Sequence, residues 1–578
     1  MSNSYWTRFT TARISRRRLL LRSGGATVGL AALAAVGCGD DDDDDSGVSS
    51  SGGGSSPSAT SAPSGTSSSG SGGGGGPQQG GRFGRYFGTG PANFNQLLDT
   101  AEGSWFSGLH VYDRLISSRV QGDPYVLEAA EAFEQPDDIT LTFKLRPGMV
   151  YHNRAPVNGR EVKASDVVAT QLLARELDGA DNPFQRNSLD TIEAPDDLTV
   201  VMKLQAPNAY LFTGRQLGTP TSQAIIPEEL HENMSGEGPE WPIGSGPYEL
   251  VDASFGSAHL FRRFENFRFA SQNLPYTDER EVFVITDPVA LETAFRGEQI
   301  HRWQPPLTTV DQSAQELSDL ANVLEEFSLS AITWVLCMFE GRGPWVTDQR
   351  IREGFYRATN REQVIQLYAA GKAVAPSGIL SQAQNELYLL DYAETEEFFK
   401  FDPAEGRKLM DAAGFTGSEM EGMAGGGPTG LQLAEIMQRQ FSEVGIQLNP
   451  LSVTLAELVD KSLKGNYDFY IGGHPAYDSP QVPMRQNHSD SRSQFGNSGL
   501  GDPVTDALIE KAEQTLDFEE RAAVIKEAQI ELLKRYGSYY NLYTPTNTLL
   551  LNKKVHDFNY DPADSAGALY QLEMWMDT

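Results

Sequence analysis

A single hydrophobic core stops growing at about 250–300 residues. The stretch from Arg82 to Thr578 is far longer than that, so the body of this chain must fold around at least two cores. Nothing before it can join them. Asp40 to Asp45 is an unbroken acidic run, and Ser/Gly/Pro-rich sequence continues to about Gly81. Such composition cannot bury enough apolar surface to offset the entropy of ordering. Residues 39–81 therefore read as a flexible acidic, then Ser/Gly-rich, leash with a reach of about 35 Å. The aspartates are no calcium loop, because an EF-hand alternates its ligands and carries a glycine.

Residues 1–38 read as a targeting segment. Arg8, Arg13, Arg16, Arg17, Arg18 and Arg22 precede an uncharged stretch from Ser23 to Gly37. That stretch is shorter than the ~20 residues that span a bilayer. Ser15 to Leu20 (SRRRLL) is similar to the twin-arginine export motif. Ala35-Val36-Gly37-Cys38 is similar to a bacterial lipobox, which would make Cys38 the lipid-bearing mature N-terminus. The chain has 2 cysteines. Cys337 lies in the apolar run AITWVLCMF and reads as a buried small hydrophobe. With Cys38 lipidated, no intramolecular disulfide is available.

The chain carries 46 basic and 78 acidic residues, a net charge of −32, more negative still without the leader arginines. That excludes nucleic acid or an anionic membrane surface as the main partner. After Cys38 there is no apolar run long enough for a membrane span, so the body is expected to be soluble. There is no G-x-x-x-x-G-K-S/T, no G-x-S-x-G and no H-E-x-x-H; His231-Glu232 continues Asn233-Met234-Ser235. His474 and His488 lack tight ligand spacing. No catalytic residue, metal or cofactor is expected.

Helix and strand patterns alternate along the body, indicating α/β or α+β lobes. Asp402-Pro403-Ala404-Glu405 and Thr454-Leu455-Ala456-Glu457 are capping boxes. Gly414, Gly445 and Gly465 mark helix ends. Between the boxes, Leu433, Ile436, Met437, Phe441 and Val444 keep helical spacing. A strand is expected from Ile446 and another over Tyr467 to Ile471, giving helix–strand–helix–strand with parallel strands joined by a right-handed crossover. Asp502-Pro503 opens another helix, and a longer one covers Phe518 to Arg535. Earlier, ITLTFKL (Ile139 to Leu145) and LTVVMKL (Leu198 to Leu204) alternate as strands. A helix is expected from Ser165, its N-cap, to about Leu177.

At these residues the chain resembles the peptide/nickel class (family 5) of extracellular solute-binding proteins of ABC importers. Leu141 to Thr170 is similar to that family's "TFKLR-G-FHDG-P-A-DVV" signature, and Gly244-Ser245-Gly246-Pro247-Tyr248 to its "GTGPY" turn. Trp345 to Gly371, Asp402 to Gly414 and Phe441 to Leu448 match further elements in order. The resemblance runs from about Phe83 to Trp575. It implies a bilobed periplasmic-binding-protein (Venus flytrap) fold of the α/β class. Lobe I would comprise 82–108, 242–315 and 540–578, with an inserted subdomain at 109–241. Lobe II would span 316–539, and the chain would cross between lobes near 316–339 and near 540.

The resemblance also implies a function. A monomeric receptor, lipid-anchored to the outer face of the cell membrane or periplasmic, would capture a peptide or peptide-like solute between its lobes. It would deliver that solute to an ABC permease whose ATPase subunits are separate. In peptide-binding relatives a "W-x-x-D-Y-x-D/E-P" segment supplies an Asp for the ligand ammonium. Here the matching segment ends Ala476-Tyr477-Asp478-Ser479-Pro480, with Ala476 in that place and His474 or a neighbour replacing the Trp. Tyr477 would stack on or hydrogen-bond to the solute, and Asp478 would accept from a cation or hydroxyl; the alternative is a structural turn. Trp334, Trp105 and Phe106 face either the cleft or a core. Arg485 either pairs a solute carboxylate or is solvated. Receptors for a metal chelate, sugar or opine, and chemosensory lipoproteins, remain alternatives.

Overall fold

A computed structural model of the chain describes residues 76–577 except 89, 92, 99–107, 109, 119–124, 178–183, 213–215, 218–222, 234, 237, 239–240, 255, 328–331, 339–342, 383, 426, 465, 476–478, 491–501, 538 and 559–571. The leader, Cys38 and nearly all of the leash lie outside the described residues.

The body begins with β1 (Arg82–Phe87). The chain then builds a separate antiparallel sheet from β2 (Ala130–Glu134), β3 (Thr140–Leu145), β4 (Leu189–Asp196) and β5 (Thr199–Leu204), in the order β2-β3-β5-β4. The expected alternation is real: Leu141, Phe143, Val200 and Met202 are fully buried. The helix between β3 and β4, α1 (Ala164–Glu176), starts one residue before the expected Ser165 cap. Its third residue, Asp166, takes the Lys163 N–H at 2.9 Å. Arg160 grips the same carboxylate at 2.9 and 2.7 Å, so the end is capped from inside the helix.

The chain returns through β6 (Tyr248–Ser254), β7 (Ala258–Arg263) and β8 (Glu279–Val284), completing a sheet of order β1-β8-β7-β6 with β1 parallel to β8. One core, running from Phe87 to Val282, fills the space beneath both sheets. The Gly244-Ser245-Gly246 turn is where they meet. A Cβ on Gly244 would lie 2.1 Å from the Val111 carbonyl oxygen, and one on Gly246 2.7 Å from it. The Gly246 N–H donates to that carbonyl, and the His152 N–H to the Gly244 carbonyl, each at 2.8 Å. Only glycine lets three backbones come this close.

The second half contributes β9 (Arg302–Trp303), β10 (Ala321–Phe327), β11 (Ile332–Met338), β12 (Ala373–Val374), β13 (Glu419–Ala424), β14 (Gln447–Ser452), β15 (Phe469–Pro475) and β16 (Tyr539–Asn552). They form an 8-stranded sheet along β9-β16-β11-β15-β13-β14, with β10 and β12 also paired to β16. The associated helices include α2 (Gln349–Ala358), α3 (Arg361–Tyr368), α4 (Pro403–Ala412), α5 (Gly427–Glu443), α6 (Leu455–Lys464), α7 (Gln481–Arg485), α8 (Pro503–Gln514) and α9 (Phe518–Lys534). Their core runs from Trp345 to Tyr543 and takes one residue, Tyr210, from the first half of the chain.

Local signals held well here. Asp402 accepts from the Glu405 N–H at 3.0 Å, and Gly414 ends the turn at φ +67°. Thr454 and Glu457 cap each other reciprocally. β14 and β15 run parallel as expected, but β13 lies between them and pairs in parallel with both. Its sequence, EMEGMA, has no β-branched residue and gave no strand signal.

β16 changes partners midway. Tyr539 to Tyr543 pair with β11, Thr544 and Pro545 with β12, and Thr546 to Asn552 with β10. Its side chains follow suit: Tyr539, Tyr540, Leu542 and Tyr543 belong to the second core, whereas Leu550 packs with Phe295 and Trp303. Among the described residues no helix is long and apolar enough to cross a membrane.

Two features of the first half have measurable consequences. Arg114 and Glu128 are both 1% exposed and paired at 2.7 Å, and burial pushes the Glu128 carboxyl up despite the arginine. Arg114→Met strands that carboxyl and should cost about 3–5 kcal/mol in urea unfolding, much of it recovered in R114M/E128L. His152 is buried, its Nε2 3.2 Å from the Gly246 carbonyl, and burial lowers its pKa from 6.5 to about 4. The unfolded chain therefore binds this proton first. Stability should fall by up to about 3 kcal/mol as pH drops from 6.5 to 4, and His152→Gln should flatten the unfolding free energy over that window by about one proton.

Candidate functional site

The place where β16 changes partners gathers several candidate positions. On β11, Trp334 stands in register with Gly473 of β15 on one side and Tyr543 of β16 on the other. His474 is opposite Thr333, one position along the same ladder. Antiparallel pairing thus brings Trp334 and His474, distant in sequence, to one corner of the sheet. Tyr477 and Asp478 follow directly after β15 but lie outside the described residues, as do Trp105 and Phe106.

The β16 side of this corner is polar and held in place. Thr544 Oγ1 lies 3.1 Å from Ser381 Oγ, and Asn541 Nδ2 donates to the Ile379 carbonyl. These contacts fix the segment leading away from β12 against the strand. Burial pushes the Tyr540 hydroxyl up to about 12 and raises that of Tyr543 as well. Both therefore stay protonated and can donate hydrogen bonds at any physiological pH. Sequence reasoning passed over Asn541, Tyr543 and Thr544. The run YYNLYTPTNT carried a usable signal, since hydroxyls and amides concentrate in a strand otherwise made to be buried.

Arg485 ends α7. Its Nε and Nη2 reach the two carboxylate oxygens of Glu513 on α8, each at 2.9 Å, and Nη1 reaches Asp490 at 3.3 Å. Arg485 is thus engaged by carboxylates from its own chain; a solute carboxylate would have to share or displace that fork. Glu513 had no sequence signature, being one acidic residue on a charged helix. His488 is buried beside this fork, with Nε2 3.3 Å from Glu510 and Nδ1 accepting the Asp490 N–H at 3.2 Å. Both ring nitrogens are occupied locally. Tyr540, Asn541, Tyr543 and Thr544 are all buried, so the β16 side of this corner is a packed polar wall, and the charges near it are largely paired within the chain.

Residues 124–495 match the model of the bacterial extracellular solute-binding proteins, family 5. The glutathione-binding protein GsiB of Pectobacterium atrosepticum is 24% identical over 458 residues, covering 75% of this chain and 82% of that protein. Among solved structures, the periplasmic binding protein DppA of Helicobacter pylori, in complex with the peptide STSA, superimposes with a TM-score of 0.73 at 18% identity, covering 87% of this chain and 99% of that one. AgaA from A. tumefaciens R10, in complex with agropinic acid, gives 0.74 at 18% identity, covering 86% and 99%. The fold is thus the bilobed α/β fold of periplasmic binding proteins, with one core in each half of the chain. This chain belongs to the bacterial extracellular solute-binding proteins of family 5, which bind solutes and do not transform them.

Proposed function

We propose that this protein is the lipid-anchored receptor of an ABC importer, closing two lobes around a peptide or peptide-like solute and handing it to the permease. The observation that carries the reading is β16, one strand hydrogen-bonded first to β11 and then to β10. In this reading the chain passes between the lobes from β10 to β11 and returns along β16, whose partner changes at Thr544–Thr546. The lobes expected from the sequence, 82–108, 242–315 and 540–578 with the insert 109–241 against 316–539, shift accordingly in this reading: β10 goes with lobe I, and Tyr539, Tyr540, Leu542 and Tyr543 go with lobe II, whose core holds them. Closure is driven by the solute's differential affinity for the closed state. Moving the open-to-closed ratio from 99:1 to 1:99 takes about 5.5 kcal/mol, which several hydrogen bonds and an aromatic contact across the gap can supply.

The solute contacts in this reading are Trp334, His474, Tyr477 and Asp478 from lobe II and Trp105 and Phe106 from lobe I, with Arg485 shared with Glu513. Relatives named for glutathione and dipeptides, and structures holding the peptide STSA, support the peptide-like class. One observation favours a second reading. Ala476 stands where peptide-binding relatives place the ammonium-binding Asp, and AgaA holds agropinic acid, so a solute without a free amino terminus also fits.

Mass spectrometry of protein purified from its own cells is expected to show a small peptide-like or opine-like ligand, lost after unfolding and refolding. Titrating the refolded protein with glutathione, dipeptides and an opine should then identify the class. Turnover of any of them would overturn the receptor reading. Anchoring has a separate test. Wild-type protein should partition with membranes and carry a diacylglycerol mass at Cys38, and Cys38→Ser should move it to the soluble fraction. An unmodified wild-type mass would remove the anchor.

A further inference from the structure

Among the described residues, the insert meets the second core at Tyr210 and its neighbours. Asn208 Nδ2 donates to Ser188 Oγ at 3.2 Å and to Gln216 Oε1 at 3.1 Å, while its Oδ1 accepts the Tyr210 N–H at 2.9 Å. The loop is therefore rooted in the insert. Its next residues part company: Leu211 and Phe212 are fully buried in the first core, whereas Tyr210, 3% exposed, belongs to the second. Tyr210 packs into the second core, where it lines a small void together with Met484 of α7, Ile509 and Ala512 of α8, and Ile525 and Ala528 of α9. The Arg521 guanidinium lies 5.4 Å from the ring centroid. Beside it, the Ala209 N–H donates to the Glu513 carbonyl at 2.8 Å. That carbonyl is in the last turn of α8, where helical partners run out.

This contact is not part of the hinge strands. Arg521 lies thirteen residues before the end of α9, about 20 Å along the helix axis, and β16 begins only after that helix. The insert is fixed to lobe I through the glycine seam and through Arg268, which pairs with the buried Asp113. Rotation about β16 must therefore draw α8 and α9 away from Tyr210.

Building on the two-lobe reading, we propose that Tyr210 is a latch, a ring carried by the insert that seats in lobe II and stabilises the closed form without touching the solute. Glu513, whose carbonyl accepts the neighbouring Ala209 N–H, also holds Arg485 with its carboxylate, so seating the latch and ordering the α7 end are coupled. The latch predicts a closed population even before solute arrives.

Single-molecule energy transfer between dyes on the two lobes of the solute-free mature protein tests this. Tyr210→Ala should lower the closed-to-open ratio at least tenfold, and Tyr210→Phe should leave it within about twofold. Ala512→Gln, which fills that void from the lobe II side, should open the protein as Tyr210→Ala does, with circular dichroism confirming that each variant is folded. A ratio unchanged in both Tyr210→Ala and Ala512→Gln overturns the latch while leaving the hinge intact. A wild type with one immobile population overturns the hinge reading itself.

Discussion

The hydrogen-bond ladder along β16 is the constraint from which the architecture follows. A β-strand cannot stretch, and its ladder bonds are lost together when partners slide. Because the strand pairs with β11 in its first half and β10 in its second, the lobes cannot drift apart. The partner changes around Thr544 and Pro545, where, among the described residues, the short β12 is alongside. Pro545 lacks an N–H, so the ladder is already thinned at that point.

Each half then needs its own rigidity, and the chain supplies it differently. In the first half, close backbone approach at Gly244 and Gly246, and buried ion pairs of Arg114 with Glu128 and Arg268 with Asp113, bind the insert to its sheet. Such pairs add little net stability compared with apolar packing, but a register that mismatches them is heavily penalised. In the second half, aromatic packing dominates. Tyr356 meets Tyr540 edge to face at 4.4 Å between centroids, and Phe355 meets Phe469 at 4.8 Å.

What could be read in advance was local chemistry. Asp402, Thr454 and Asp502 announced helix starts because a cap is satisfied within three residues. The alternation of ITLTFKL fixed which face is buried. β13 escaped because pairing on both sides stabilises EMEGMA, and nothing in those six residues encodes that. Ser165 lost its capping role because the helix starts at Ala164, where Asp166, held by Arg160, takes the Lys163 N–H. At the site, His474 could be named from a family segment and Trp334 as a strand residue facing cleft or core, but only strand register shows that they are neighbours. Arg485's commitment to Glu513 and the lodging of Tyr210 in the opposite lobe depend on partners far along the chain. NAYLF on its own reads as an ordinary apolar turn.

The place of β16 in the chain also governs the order of assembly. The second core draws Tyr539, Tyr540, Leu542 and Tyr543 from it, and β9 and β10 of the same sheet also pair with it. On a growing chain emerging N-terminus first, the 8-stranded sheet waits for this late segment to join β9, β10 and β11. A truncated translation product lacks the strand between β9 and β11 and exposes unpaired edges on both sides of the gap. Completion of synthesis is thereby built into the criterion for a folded molecule, so defective chains reveal themselves by exposed strands before they can compete for solute.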